Sequence, residues 1–168
     1  MSSEQKFLVV VGVVTLALLG GMIFLAGKSG PGSIAQEVQS DSGAKAELAE
    51  TSYDWGQIKM FDGNATATFE VKNTGSSTLK LFNGVTTCAC TSAYLQMGDI
   101  KSNVFGMHTK SNGVFEISPG QSAELTVIFD PAFHGPSGVG PIERLVILET
   151  NDPENPKLTF AVSGEVIQ

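Results

Sequence analysis

From Thr51 onward the chain alternates between apolar and polar positions. Ala65, Ala67, Phe69 and Val71 are separated by Thr66, Thr68 and Glu70, the period of two that marks a strand with one buried face. Ala123, Leu125, Val127 and Phe129 repeat the pattern, as do Leu158, Phe160 and Val162. Leu145–Leu148 is apolar at every position, as in a strand covered on both faces. Turn residues punctuate these runs: Asn73-Thr74-Gly75, Ser118-Pro119-Gly120 and the two prolines between Thr150 and Pro156. Strands are expected over residues 52–58, 64–73, 78–88, 113–117, 122–129, 142–150 and 157–167. Seven short strands with no sustained helical period predict an immunoglobulin-like sandwich.

One strand breaks the alternation. Leu79 and Leu81 share a parity that Cys88 and Cys90 do not. For both pairs to face the core a bulge must lie between them, and Asn83-Gly84 is the natural place. Without it the cysteines point outward.

Before the alternating region the pattern is continuous. Phe7–Ala26 is 20 residues without a charge, with Thr15 its only polar side chain. At about 1.5 Å per residue a helix of that length covers the roughly 30 Å hydrocarbon layer. The run exceeds the roughly 7–15 apolar residues of a cleaved signal peptide, and bulky Phe24 sits where a processing site wants a small residue. The expected organisation is a cytoplasmic stub at 1–6, a transmembrane helix at 7–26, a flexible linker at 27–50 and the sandwich at 51–168. Almost nothing precedes the helix, so the amino terminus is expected in the cytoplasm and the domain outside it. The linker is polar, small and free of aromatic residues, which leaves it little to bury.

Charge excludes one class of partner. Seventeen acidic and 10 basic residues give a net charge of −7, the wrong sign for a surface that tracks nucleic-acid phosphates. The candidate partners are the membrane, through Phe7–Ala26, and an unknown protein.

The ordered set Tyr53-Asp54-Trp55-Gly56, Phe69–Gly75, Cys88-Ala89-Cys90-Thr91, Ser118-Pro119-Gly120, Val127–Pro131 and Thr150–Pro153 resembles a bacterial family of immunoglobulin-like domains with a Cys-x-Cys signature and no assigned function. That family is similar to the Hydin-type, or major-sperm-protein-like, sandwiches. The resemblance covers roughly Thr51 to Gln168 and implies an extracytoplasmic sandwich without an established activity. The chain departs from the family's common form in two long connections, Ser92–Ile117 and Pro131–Pro136, which hold both histidines, His108 and His134.

Up-and-down strands place Cys88 and Cys90, at the end of their strand, together with Met107, His108 and His134 at one end of such a sandwich, away from the incoming linker. Four readings of that end follow. Two thiolates and two imidazoles suit tetrahedral zinc, and thiolate with the Met107 thioether suits copper(I); the candidate metal ligands are Cys88, Cys90, His108, His134 and Met107. Alternate strand residues have Cα atoms about 6.5–7 Å apart, at the edge of disulfide range, so a Cys88–Cys90 bond needs a turn at Ala89. Thiol-disulfide catalysis needs a nearby cation, and along the sequence Lys80 and Lys101 are the nearest. The fourth reading is two small core residues. The leading expectation is a non-catalytic, membrane-anchored, extracytoplasmic binding or scaffold module, with no certain cofactor; copper or zinc binding and thiol-disulfide chemistry are the alternatives.

Overall fold

A computed structural model describes residues 38–168, together with Ser2, Gln5 and Thr15. The expected stub, the transmembrane helix and residues 27–37 of the linker otherwise lie outside the described residues. Residues Val38–Gln168 form one unit of the chain.

In that unit, eleven strands succeed one another: β1 (Ala46–Leu48), β2 (Ser52–Lys59), β3 (Ala65–Asn73), β4 (Leu79–Thr86), β5 (Thr91–Met97), β6 (Ile100–Lys101), β7 (Phe105–Gly106), β8 (Phe115–Ile117), β9 (Ser122–Phe129), β10 (Gly140–Thr150) and β11 (Lys157–Ile167). One 3-10 turn, Gly135–Gly138, precedes β10. The first sheet runs β1-β3-β9-β5-β6, with β7 also paired to β5; the second runs β2-β11-β10-β4-β8. All seven expected strands are present, to within two residues at each end. The all-apolar segment Leu145–Leu148 lies in β10, the central strand of the second sheet.

Two expectations need correction. The linker does not stay free up to residue 50, because Ala46–Leu48 pairs with Val71–Asn73 and buries Ala44 and Ala46. Nor is Ser92–Ile117 a long connection. Thr91–Met97 forms the inner strand β5, antiparallel to β9 over Thr91↔Phe129 through Gln96↔Glu124. The expected seven-strand sandwich therefore lacked a strand next to its own centre.

The core fills the space between the sheets with the inward parity of each strand. Phe69 and Phe160 meet with ring centroids 5.1 Å apart, and Leu125, Val127, Val146 and Leu148 are fully buried around them. Each such side chain contributes roughly 1.5–3 kcal/mol of transfer free energy.

The bulge is where the alternation demanded it. Ile147 pairs with Val85 but Glu149 pairs with Phe82, so β4 spends one residue more than its partner. Asn83 takes φ +51°, a left-handed conformation that asparagine tolerates better than most residues. The buried positions switch from Leu79 and Leu81 to Gly84 and Thr86. Gly84 also lets the Phe105 ring approach: a Cβ there would lie 2.9 Å from the ring and from Leu148.

At the end of the sandwich where the chain enters, buried polar groups lock the loops. Asn73 donates to the carbonyls of Ser77 and Ile117 and accepts from the Gly75 amide. Asn151 accepts from the Lys80 amide and donates to the Thr78 carbonyl. Asp152 accepts from the Ala46 and Glu154 amides and from the Asn155 side chain, which ties β1 to the β10–β11 turn.

Burial pushes the Asp152 carboxyl up, but the Ala46 amide, the Asn155 side chain and the amides of Glu154 and Asn155 together outweigh it, so its pKa lies below the ordinary 3.8. A depressed carboxylate stabilises the fold above its unfolded-state pKa, and that contribution is lost as pH falls through the folded value. Asp152→Asn points an amide donor at existing donors and is expected to cost about 1–3 kcal/mol at neutral pH. It should also shrink the loss of stability on going from neutral pH to below about pH 4, as measured by denaturant titration at several pH values.

Candidate functional site

Four residues, Thr87–Cys90, carry the chain from β4 in the second sheet to β5 in the first. Thr87 holds the exit: its amide donates to the Leu145 carbonyl and its hydroxyl accepts the Leu145 amide. The Thr86 hydroxyl lies 3.0 Å from the Cys88 carbonyl and 2.8 Å from that of Thr91, sharing its proton between the two sides of the turn. The Thr91 amide donates to the Cys88 carbonyl, and the Asp130 amide to that of Cys90. The crossing is therefore a closed turn, with the two cysteine Cα atoms 5.2 Å apart, and Cys88 and Cys90 are joined in a disulfide. The turn at Ala89 supplies the approach that an extended strand denies.

The two sulfurs have different surroundings. Cys90 is 3% exposed and belongs to a small apolar cluster with Ile58, Met60, Phe129 and Val166. Cys88 is half-buried at the edge of that cluster. His134, exposed and preceding the 3-10 turn, places Nε2 3.6 Å from Cys88 Sγ. The Phe133 ring meets the His134 ring edge-on at 5.0 Å. Arg144 approaches the second sulfur, and its Nε–H donates to Cys90 Sγ at 3.2 Å.

Arg144 is the one arginine of the chain. It shares the inward parity of β10 with Val146 and Leu148, and its guanidinium lies 6.0 Å from the Phe129 ring centroid. Its Nη1 donates to the Glu143 carbonyl, and among the described residues it forms no ion pair with a carboxylate. Its charge is therefore directed at sulfur. Lys80 and Lys101 are the nearest cations along the sequence, but the cation that reaches these cysteines comes from β10, 54 residues away.

The five candidate metal ligands do not gather into one group. Sγ of Cys88, Sγ of Cys90 and a ring nitrogen of His134 lie within 4.8 Å of one another. His108 is not in that group; it lines, with Met107, Ala89, Phe105 and Thr109, a concavity of about 260 Å³. Disulfide sulfurs are not thiolate ligands, so the three donors fit a zinc or copper(I) ion only once the bond is reduced. Even then Arg144 would hold a positive charge beside one of them.

Residues 46–106 match the model of a family described as protein of unknown function (DUF1573). The matched segment includes the Cys-x-Cys turn, whereas Met107, His108, His134 and Arg144 fall outside it. A crystal structure of a protein of unknown function from Porphyromonas gingivalis W83 is similar over 76% of this chain and 48% of its own, with 26% identity and a TM-score of 0.56. The chain thus spans about half of that protein's length. The PapD-like domain 7 of human CEP192 is similar over 83% of this chain and 97% of its own, with 16% identity and a TM-score of 0.48. The E. coli chaperone DraB is similar over 73% and 55%, with 10% identity and a TM-score of 0.41. No curated protein matches the sequence. The Porphyromonas gingivalis likeness agrees with the two-sheet sandwich described above.

Metal uptake should therefore follow the redox state. Titration of the full chain with zinc or copper(I) is expected to show no uptake by the disulfide form. After reduction, Arg144→Gln should raise affinity a few-fold to roughly tenfold by removing a like charge beside the ion, and His108→Ala should change nothing.

Proposed function

We propose that this chain is a protein-binding or scaffold module, held at the membrane by Phe7–Ala26 and working outside the cytoplasm. Its contact surface, in this reading, is the end of the sandwich that carries the disulfide. The observation that supports it is the company the disulfide keeps. Phe61 in the β2–β3 connection is 80% exposed, Phe133 in the β9–β10 connection is 51% exposed, and Met107 and Val139 are also exposed. Ala65 pairs with Phe129 and Phe129 with Thr91, so these connections emerge at the same end as the cysteine turn. Exposed large apolar side chains drawn from several loops around one end of a rigid sandwich are the ordinary composition of a contact surface.

The location has one further support. A disulfide persists in oxidising compartments and is rare in the cytosol. The described chain enters at the end that holds Asn151 and Asp152, since the Asp41 amide donates to the Asn151 carbonyl. A resemblance to Hydin-type or major-sperm-protein-like domains is in keeping with such a role. Copper or zinc binding is the second reading, favoured by the three donors of Cys88, Cys90 and His134 and opposed by Arg144.

The test is capture on cells. Full-length protein with a photocrosslinker at Val139 is expected to trap a discrete partner. The pair Phe61→Asp and Phe133→Asp should weaken that capture roughly tenfold or more while leaving thermal stability nearly unchanged. Equal capture by the double variant would remove this surface from the account.

A further inference from the structure

We infer that the Cys88–Cys90 disulfide is an exchange site that oxidises a dithiol in a polypeptide, with Arg144 as the electrostatic support of its reduced form. The inference stands apart from the binding reading, because it rests on the two sulfurs and the groups that face them.

Three observations carry it. The first is the direction of Arg144. An inward-facing guanidinium on a core strand, without a carboxylate partner among the described residues, donates to a disulfide sulfur, which is a weak acceptor. Reduction turns that contact into an ion pair with the Cys90 thiolate. The charge is thus arranged for the reduced state, and whatever stabilises the reduced state makes the disulfide a stronger oxidant. The second is the asymmetry of access. Cys90 is buried while Cys88 is half-buried with His134 exposed beside it. An incoming thiolate reaches Cys88, and the sulfur that must leave is the one Arg144 supports. The third is the position of His134, whose Nε2 can pass a proton to and from Cys88 Sγ at 3.6 Å.

The steps balance. A substrate thiolate attacks Cys88 Sγ, the Cys88–Cys90 bond breaks, and Cys90 leaves as a thiolate against Arg144. The second substrate thiol, as its thiolate, attacks the substrate sulfur of the mixed disulfide. That forms the substrate disulfide and releases Cys88 as a thiolate, which takes from His134 Nε2 the proton that the second substrate thiol gave to the ring as it attacked, while the proton of the first substrate thiol has gone to water. The protein gains two electrons, and the substrate loses two electrons and its two thiol protons. A disulfide-bearing partner restores the protein by the same steps in reverse. Metal binding asks the opposite of Arg144, which would then repel the bound ion. The sandwich has no helix start at Cys88, so the guanidinium from β10 takes the place that a helix terminus fills in other thiol sites.

The experiment uses the full chain and a synthetic peptide carrying two cysteines. The oxidised protein is expected to convert the peptide to its disulfide, one equivalent per protein. Cys90→Ser, loaded with the peptide as its mixed disulfide, is expected to hold it at Cys88, as seen by intact mass. Equilibration of wild-type protein with glutathione buffers gives the second measurement. Arg144→Gln should shift the equilibrium toward the disulfide and slow peptide oxidation, each by roughly tenfold, the effect of losing one favourable charge on a thiolate. Arg144→Lys should recover part of both. A wild-type disulfide that neither oxidises the peptide nor equilibrates with glutathione overturns the proposal. So does a folded Arg144→Gln variant with an unchanged equilibrium, because then the guanidinium only packs against Phe129.

Discussion

The chain has to pass from one sheet to the other within four residues, and the organisation of this molecule follows from how it does so. A strand fixes which side chains face inward by parity alone, and β4 begins with Leu79 and Leu81 inward. Without a correction, Thr86 and Cys90 would turn to solvent and the crossing would have nothing to pack on. Asn83 and Gly84 absorb one extra residue and reverse the parity, at the cost of a left-handed asparagine and a glycine pressed against Phe105. Thr86 can then bridge the turn, Cys90 joins the cluster around Phe129, and Cys88 is left at its rim. The disulfide, its asymmetry and its neighbours all descend from that one inserted residue.

Much of this was legible in the sequence because parity is legible. The alternation of Ala65–Val71, Ala123–Phe129 and Leu158–Val162 located strands to within two residues, and the conflict between Leu81 and Cys88 located the bulge. The two strands that the pattern hides share a physical cause. In β5 the first two inward positions are filled by Thr91 and Ala93, too small or too polar to register as a hydrophobic stripe, although a period of two runs through to Leu95 and Met97. β1 is three residues long and buries only Ala46, with Leu48 half-buried against the core. In both, the sheet supplies the stability through its ladder and the side chains contribute little that a pattern can reveal. Arg144 escaped differently. Sequence proximity ranks lysines near Cys88, but a sheet delivers neighbours from adjacent strands. The available signal was a single arginine on the inward parity of an otherwise apolar strand. The two histidines looked equivalent, and only the paths of their loops set them apart.

The two ends of the sandwich manage buried polarity in opposite ways. Where the chain enters, Asn73, Asn151 and Asp152 satisfy loop amides and carbonyls, and every buried side-chain nitrogen and oxygen among the described residues has a partner. Such networks fix loops and reward rigidity. At the cysteine end the interactions are weaker and softer: a disulfide sulfur accepting from a guanidinium, an imidazole at long range, and apolar side chains open to solvent. Stability is concentrated away from the end where chemistry is available.

Of the chemistries open to that end, Arg144 separates two that are otherwise hard to distinguish. Reduced, Cys88 and Cys90 with His134 are a donor set for a soft ion, and geometry alone does not choose between ion and exchange. Charge does. A metal ion brings positive charge to sulfur, and a guanidinium Nε 3.2 Å from Cys90 Sγ opposes it; a departing thiolate brings negative charge to the same atom, and the guanidinium receives it. The half-buried setting sharpens the difference, since water screens neither the repulsion nor the attraction fully there. A side chain placed to hold a metal site together would be expected to orient a ligand through a hydrogen bond from its far side. Arg144 instead points at the sulfur itself, where it serves the thiolate.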